Sequence, residues 1–96
     1  MDKPKILIIG SSNTDMVVKT DRLPNPGETI IGGDFFLFQG GKGANQAVAC
    51  ARLGGSVTFV CHLGNDVFGK QALEGFKKEN IDTSFITYDA KQSSGI

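Results

Sequence analysis

The sequence predicts an α/β fold: a partial parallel sheet with crossover helices, plus a small β-lid insertion after the first strand. Three observations carry this prediction. Lys5-Ile6-Leu7-Ile8-Ile9-Gly10 is a continuous apolar, mostly β-branched run, which suits a strand buried on both faces of a parallel sheet rather than an alternating, half-solvated one. Helical and strand-like segments then alternate toward the C-terminus, the order that parallel sheets with crossover helices require. Between the first strand and the first helix lie some thirty residues, far more than the about 2–6 of an ordinary βα loop.

The elements follow in order. After Gly10-Ser11-Ser12-Asn13-Thr14, a second strand is expected over 15–19. Leu23-Pro24-Asn25-Pro26-Gly27-Glu28 is a turn, because two prolines and a glycine cannot sustain a helix. Thr29-Ile30-Ile31 reads as a short strand closed by Gly32-Gly33, and 35–39 as another extended segment. A first helix is expected from Gly43 or Ala44 to Leu53. Ala44, Ala47, Val48 and Ala51 fall at i, i+3, i+4 and i+7, one helical face, and alanine there permits close packing on a sheet. Gly54 or Gly55 stops it. A strand over 56–61 follows, then Asp66 as N-cap. A second helix over 67–79 should turn Phe68, Ala72, Leu73 and Phe76 inward and end near Asn80. A third parallel strand is expected over 85–88. The lid strands thus lie within about 15–39. Phe35, Phe36 and Phe38 read as core or lid-packing residues, and Lys77-Lys78 as an exposed helix face.

Composition narrows the function classes. Ten basic residues balance ten acidic ones in 96 residues, so no net field favours nucleic acid or an anionic membrane. No apolar run approaches the roughly 20 residues that span a bilayer, and the short run 6–9 is too brief for a signal-peptide core. The chain reads as cytoplasmic. Cys50 and Cys61, with ten residues between them, form no CxxC. With His62 as the single histidine a zinc site is not expected. Both thiols read as buried, reduced and hydrophobe-like. His62 has no evident catalytic partner in the sequence and reads as structural.

The motif richest in chemistry is Gly40-Gly41-Lys42-Gly43-Ala44-Asn45, just ahead of the first helix. Glycine lets the backbone approach a ligand, lysine adds a compact positive charge, and a helix start offers N–H groups at its positive end. This is not a P-loop, since Gly43 stands where a serine or threonine would reach Mg²⁺. Nor is it a dinucleotide fingerprint, since Gln46 occupies the third glycine position. It is either a flexible turn feeding a helix or a cradle for polar ligand groups. Asn45 can donate and accept, which suits a hydroxyl. Asn13-Thr14-Asp15 lies just beyond the first strand, where open α/β sheets bind ligands. Ionised Asp15 accepts from hydroxyls and Asn13 does both, although an Asx turn would place the same residues there. Gly64-Asn65-Asp66 reads first as a helix cap.

Gly41-Lys42-Gly43-Ala44-Asn45-Gln46-Ala47, with Gly54 and Gly64 at their spacings, resembles the first signature of the PfkB carbohydrate kinases. Asn13-x-Asp15, Leu23-Pro24-x-Pro26-Gly27-Glu28-Thr29, Asn80-Ile81-Asp82-Thr83 and Ser94-Gly95 extend the resemblance over essentially the whole chain. The lysine before Gly43-Ala44-Asn45-Gln46-Ala47 is most similar to the ribokinase branch. The resemblance implies a ribokinase-like fold and transfer of the ATP γ-phosphoryl group to a sugar hydroxyl, with D-ribose giving ribose 5-phosphate. It implies Asn13, Asp15, Gly41, Lys42 and Asn45 as sugar-binding positions, and ATP and Mg²⁺ as cofactors, with a monovalent cation as a further candidate. It implies a homodimer formed through the β lid. The family's second signature, an Asp-Thr-x-Gly-Ala-Gly-Asp-like segment supplying the anion hole and the aspartate that deprotonates the sugar, does not occur in these residues. Residues 1–96 are therefore expected to be the N-terminal part of such a kinase, without catalytic, nucleotide-binding or metal-binding residues of their own and inactive alone. Another PfkB-type kinase for fructose, phosphofructose or a nucleoside, and a non-catalytic sugar-binding or dimerisation module, are the alternatives.

Overall fold

A computed structural model describes residues 2–96; Met1 lies outside the described residues. β1 (Lys5–Ile9) is followed by β2 (Asn13–Lys19), β3 (Asp34–Gly40), α1 (Lys42–Arg52), β4 (Ser56–Val60), β5 (His62–Gly64), α2 (Val67–Lys78) and β6 (Thr87–Asp89). β1 and β4 pair in parallel, Lys5 opposite Ser56 through Ile9 opposite Val60, with α1 as their crossover. β5 and β6 pair in parallel around α2. These are the α-linked parallel pairs that the sequence order implies, because parallel neighbours need a long connection.

The sheet is more broken than expected. The third strand runs Thr87–Asp89 rather than 85–88, and it pairs with β5, not with β4. β4 takes its second neighbour from Asp82, which receives a hydrogen bond at its carbonyl from Phe59 N–H (3.1 Å) and donates to Val57 O (2.8 Å). Phe85, expected in that strand, is exposed.

The core lies between the sheet and the two helices. Ala44 and Ala47 of α1 are fully buried, and Val48 and Ala51 pack at its margin, as their spacing predicted. Ala72 and Phe76 of α2 are buried, while Phe68 and Leu73 are only partly so. Phe76 meets Phe59 of β4 edge to face, centroids 5.2 Å apart, a geometry that favours the ring quadrupoles. α1 ends at Gly54 (φ 99°), and α2 ends where Asn80 adopts φ 59°; both are left-handed residues that release a helix. Arg52 and Glu79 join the two C-terminal ends through a two-nitrogen contact, Nη2 to Oε1 at 2.6 Å. Cys61 is buried and its thiol pKa is pushed up to about 11 by burial; Cys50 is only half-buried, at the core margin. Among the described residues no helix is long and apolar enough to cross a membrane.

The long insertion is a two-stranded antiparallel ribbon, Asn13 opposite Gly40 through Lys19 opposite Asp34. It starts two residues earlier than expected. It projects: the chain extends 55 Å along its longest axis with a radius of gyration of 16.2 Å, against about 13 Å for a compact chain of this size. Phe35, Phe36 and Phe38 are exposed on it rather than in a core, with Phe36 and Phe38 stacked at 5.8 Å. The short strand expected at 29–31 does not form. Gly32 and Gly33 sit at φ 104° and 99°, outside extended backbone, and Ile31 is 94% exposed with no strand beside it. The proline turn does form, with Glu28 N–H donating to Asn25 O at 2.9 Å and Arg22 bonded to both Glu28 carboxylate oxygens.

His62 does have partners, contrary to the sequence reading. Its Nδ1 lies 2.7 Å from Thr87 Oγ1 and its Nε2 3.1 Å from Asp89 Oδ2, across the β5–β6 pair. Parallel register brings residues 25 and 27 positions away to one histidine, which spacing alone does not reveal. Asp89 also accepts the Lys91 and Gln92 N–H groups, and its carboxyl is pulled down to about 2 by Gln92, then Lys91, then His62.

Two outcomes are expected from this packing. A methyl group on Gly43 would lie 2.7 Å from Gly10 Cα, whereas one on Gly75 meets nothing within 4 Å. Both changes gain about 1 kcal/mol of helix propensity, but overpacking costs typically about 1–3 kcal/mol. Denaturant melts should therefore show Gly75→Ala stabilised and Gly43→Ala destabilised; a stabilised Gly43→Ala would show that the seam has slack. A carboxylate with a depressed folded pKa adds stability that is present above its unfolded value, about 3.9. For Asp89 this stability is lost as pH falls through about 2. The difference in stability between the protein and Asp89→Asn should be full near neutral pH and vanish across that acid window; a difference independent of pH would contradict it.

Candidate functional site

The site is built where β1 ends. Gly10 N–H still pairs with Val60 O (3.1 Å), and the chain then turns under the start of α1, where Ala44 N–H donates to Ser11 O at 3.0 Å. This close approach is possible because neither Gly10 nor Gly43 carries a side chain: each would place a methyl within 3 Å of the other's backbone. Gly41 is the N-cap position of α1, at φ 97° and ψ 138°, and no side chain caps the helix. A side chain on Gly41 would meet Ser11 O, Ser12 Cα and Asn13 N at 2.7–3.0 Å. The glycine-rich turn therefore lies directly on the backbone of residues 11–13.

That contact gathers the expected site residues. Asn13 is the first residue of β2 and pairs with Gly40, the last of β3. Asn13 and Asp15 are two apart on one strand, so they share a face of the ribbon. The Asp15 carboxylate packs against Gly40 Cα, where a methyl group would overlap it. Lys42 is the first residue of α1, and Asn45 follows at i+3 on a neighbouring surface position. Asn13, Asp15, Lys42 and Asn45 are exposed, and Gly41 is half-buried. Among the described residues, no side-chain hydrogen bond engages any of the four polar side chains. The intervening Thr14 is fully buried and anchors the strand.

A groove of about 650 Å³ runs from this edge between α1 and α2, lined among others by Phe38, Asn45, Val48, Ala72 and Phe76. Asn45 is the site residue that reaches it. Asn13, Asp15 and Lys42 lie outside it, on an open surface.

One neighbour of the site escaped the sequence reading as a physical contact. Gly95 pairs in parallel fashion with Asn13. Its carbonyl accepts Thr14 N–H at 2.8 Å, and its Cα faces Asn13 Oδ1 so closely that a side chain there would overlap it. Residues 13 and 95 are too far apart in sequence for any periodicity to join them; the glycine at 95, outside any predicted turn, is the sole local signal.

Electrostatically, the site offers one carboxylate, one ammonium and two amides around a helix start. A carboxylate only accepts, an ammonium only donates, and an amide does both. Such a set suits a ligand bearing several hydroxyl groups, each of which donates one hydrogen bond and accepts others.

Residues 3–96 match the pfkB family carbohydrate kinase model. A mouse ribokinase is 47% identical over 89 residues, covering 93% of this chain and 27% of the mouse protein. The structure of ribokinase from Giardia lamblia superposes with a TM-score of 0.83 at 34% identity, covering 97% of this chain and 28% of that one. Fructokinase from Xylella fastidiosa with bound ATP superposes with a TM-score of 0.79 at 33% identity over 96% of this chain and 28% of that one. The chain thus spans less than a third of the length of the relatives it matches. With a ribokinase-like fold over nearly its whole length and the family model matched from residue 3 to residue 96, the chain belongs to the pfkB family of carbohydrate kinases.

Proposed function

We propose that this chain is the N-terminal, sugar-holding part of an ATP-dependent sugar kinase whose substrate is D-ribose, the product being ribose 5-phosphate. One observation carries the reading. The glycine turn 40–43 lies on residues 11–13, so that Asn13, Asp15, Lys42 and Asn45 form one exposed polar edge around the half-buried Gly41 at the strand end. Asp15 takes hydrogen bonds from sugar hydroxyls, Asn13 and Asn45 donate and accept, and Lys42 donates to a hydroxyl oxygen. The 47% identity to a ribokinase supports ribose over other sugars. The likeness to a fructokinase makes fructose the competing substrate.

ATP with Mg²⁺ is the phosphoryl donor in this reading. The residues of this edge fit the sugar better than the nucleotide. Lys42 is followed by Gly43, not by the hydroxyl residue that a P-loop uses to reach Mg²⁺. The nucleotide and metal, and a monovalent cation if one is used, are thus assigned to parts of the enzyme outside residues 1–96, and these residues contribute sugar binding without catalytic groups. Because phosphoryl transfer rests on positioning and charge stabilisation, holding the sugar is itself a share of the catalysis.

The ribbon is the lid in this proposal, and two copies associate through it in a cytoplasmic enzyme. Its apolar side chains support this: Met16, Val18, Phe35 and Phe38 are all more than 40% exposed. Long, apolar strands left open favour pairing with another chain. Lid closure would exclude water from the sugar.

The whole enzyme should phosphorylate ribose with a higher kcat/KM than fructose, fructose 1-phosphate or a nucleoside; a strong preference for any of these overturns the substrate. Asp15→Ala should lower kcat/KM for ribose by roughly tenfold to a hundredfold, since a hydrogen bond to a charged group is worth about 1.5–3 kcal/mol. Lys42→Ala should raise the ribose Kd in calorimetric titration. Unchanged constants remove that residue from the site. Sedimentation should give a dimer that Phe36→Asp dissociates; a monomeric parent protein rejects the lid interface. Ribose binding by a protein that never turns over ATP would favour a non-catalytic module.

A further inference from the structure

We propose that Asp66 is a positioning residue for the sugar-holding edge, acting through Ser94 and Gly95 on Asn13. The inference rests on the sugar-site reading above. Capping alone does not account for Asp66. Its Oδ1 accepts Gly69 N–H at 2.8 Å, which satisfies the start of α2. The same oxygen also accepts Ser94 Oγ–H at 2.8 Å, and Oδ2 accepts Ser94 N–H at 2.8 Å. Serine, threonine or asparagine would cap a helix as well as aspartate does. Holding a backbone N–H and a hydroxyl of a second segment as well needs both oxygens of a carboxylate.

Ser94 is buried and its hydroxyl also accepts Gly64 N–H at 3.0 Å. Three elements therefore converge on it: the end of β5, the start of α2 and the segment after β6. The next residue delivers the effect. Gly95 O accepts Thr14 N–H at 2.8 Å, and Gly95 lies against Asn13 Oδ1. Asp66 itself lies outside the candidate sugar site. Its route to Asn13 is one side chain and two backbone residues long. Gly64 and Gly69 make the junction tight, since a side chain on Gly69 would overlap Gly64 O and one on Gly64 would overlap Ser94 N. A displacement of Ser94 thus has no slack to be absorbed in before it reaches Asn13. Misplacement by about 1 Å can cost a hundredfold where a substrate must be held in reacting geometry.

The test uses the whole kinase. Asp66→Asn keeps an oxygen for Gly69 N–H and Ser94 Oγ–H but turns an amide donor toward the Ser94 N–H. Ser94→Ala removes the hydroxyl and leaves α2 capped. Gly95→Ala pushes on the Asn13 side chain directly. Each should raise the KM for ribose by up to about tenfold, the range for one neutral hydrogen bond made by the Asn13 amide, and leave the KM for ATP unchanged. A merely structural defect would lower the active fraction and the melting temperature without separating the two KM values. In Ser94→Ala, the Thr14 amide resonance should move. If Asp66→Asn fails to fold, Ser94→Ala decides. An unchanged ribose KM in Ser94→Ala together with an unmoved Thr14 amide overturns the proposal, as does a rise in Gly95→Ala alone. If the unaltered enzyme neither binds nor phosphorylates ribose, the sugar-site reading fails instead, and the Thr14 amide still reports whether the tie exists.

Discussion

The backbone contact between Gly10 and Gly43 is the constraint on which the rest of this fold depends. A methyl group on either would sit within 3 Å of the other's Cα, closer than bonded neighbours aside any two carbons pack. With both side chains missing, α1 starts directly over the end of β1 and its alanine face drops onto the sheet. Ala44 and Ala47 are then buried to 2% and 0% exposure. Larger residues on that face would lift the helix; alanine and glycine keep it down. Each glycine of the turn answers a different demand. Gly40 gives way to the Asp15 carboxylate, Gly41 takes φ 97° against residues 11–13, and Gly43 meets Gly10.

That contact also explains why the insertion is a ribbon. The chain leaves β1 and must return to almost the same point to begin α1. An antiparallel pair does this by construction, since its two ends lie side by side. Asn13 opposite Gly40 is the closing rung. The ribbon is thereby free to extend into solvent while its base stays fixed by Thr14, which is fully buried. Rigidity at the base and exposure at the tip are two consequences of one topology. They place the polar edge on the rigid end.

Sequence reasoning succeeded where one element's own residues decide its structure. The i, i+3, i+4, i+7 alanine pattern marked the buried face of α1, and Asp66 was legible as a cap. The structure brings the glycine-lysine turn and Asn13-x-Asp15, singled out in the sequence as polar, to one edge. It failed where the deciding partner is distant. His62 has Thr87 and Asp89 across a parallel pair. The expected strand at 29–31 had β-branched residues but no neighbour to bond with, and propensity without pairing forms no strand. Ile6 to Ile9 reads as a strand buried on both faces, yet only Ile8 is buried; Leu7 and Ile9 are 61% and 75% exposed. Helix α1 covers one face of β1, so the apolar run is matched on one side alone.

The position of Asn13 follows from supports on two sides. The turn at Gly41 lies beside its backbone nitrogen and Gly95 beside its side-chain oxygen, each with no room for a Cβ. Neither support is a strong interaction: one is van der Waals contact without a Cβ, the other a single main-chain hydrogen bond at Thr14. Together they hold the backbone at residues 13 and 14, one support on each side. Ordering an exposed side chain costs about 0.5–1.5 kcal/mol at a binding surface, so what this edge has ready before any contact is its backbone. The side chains of Asn13, Asp15, Lys42 and Asn45 all remain exposed on the surface. The edge thus combines a fixed backbone with four polar side chains that are free to adapt.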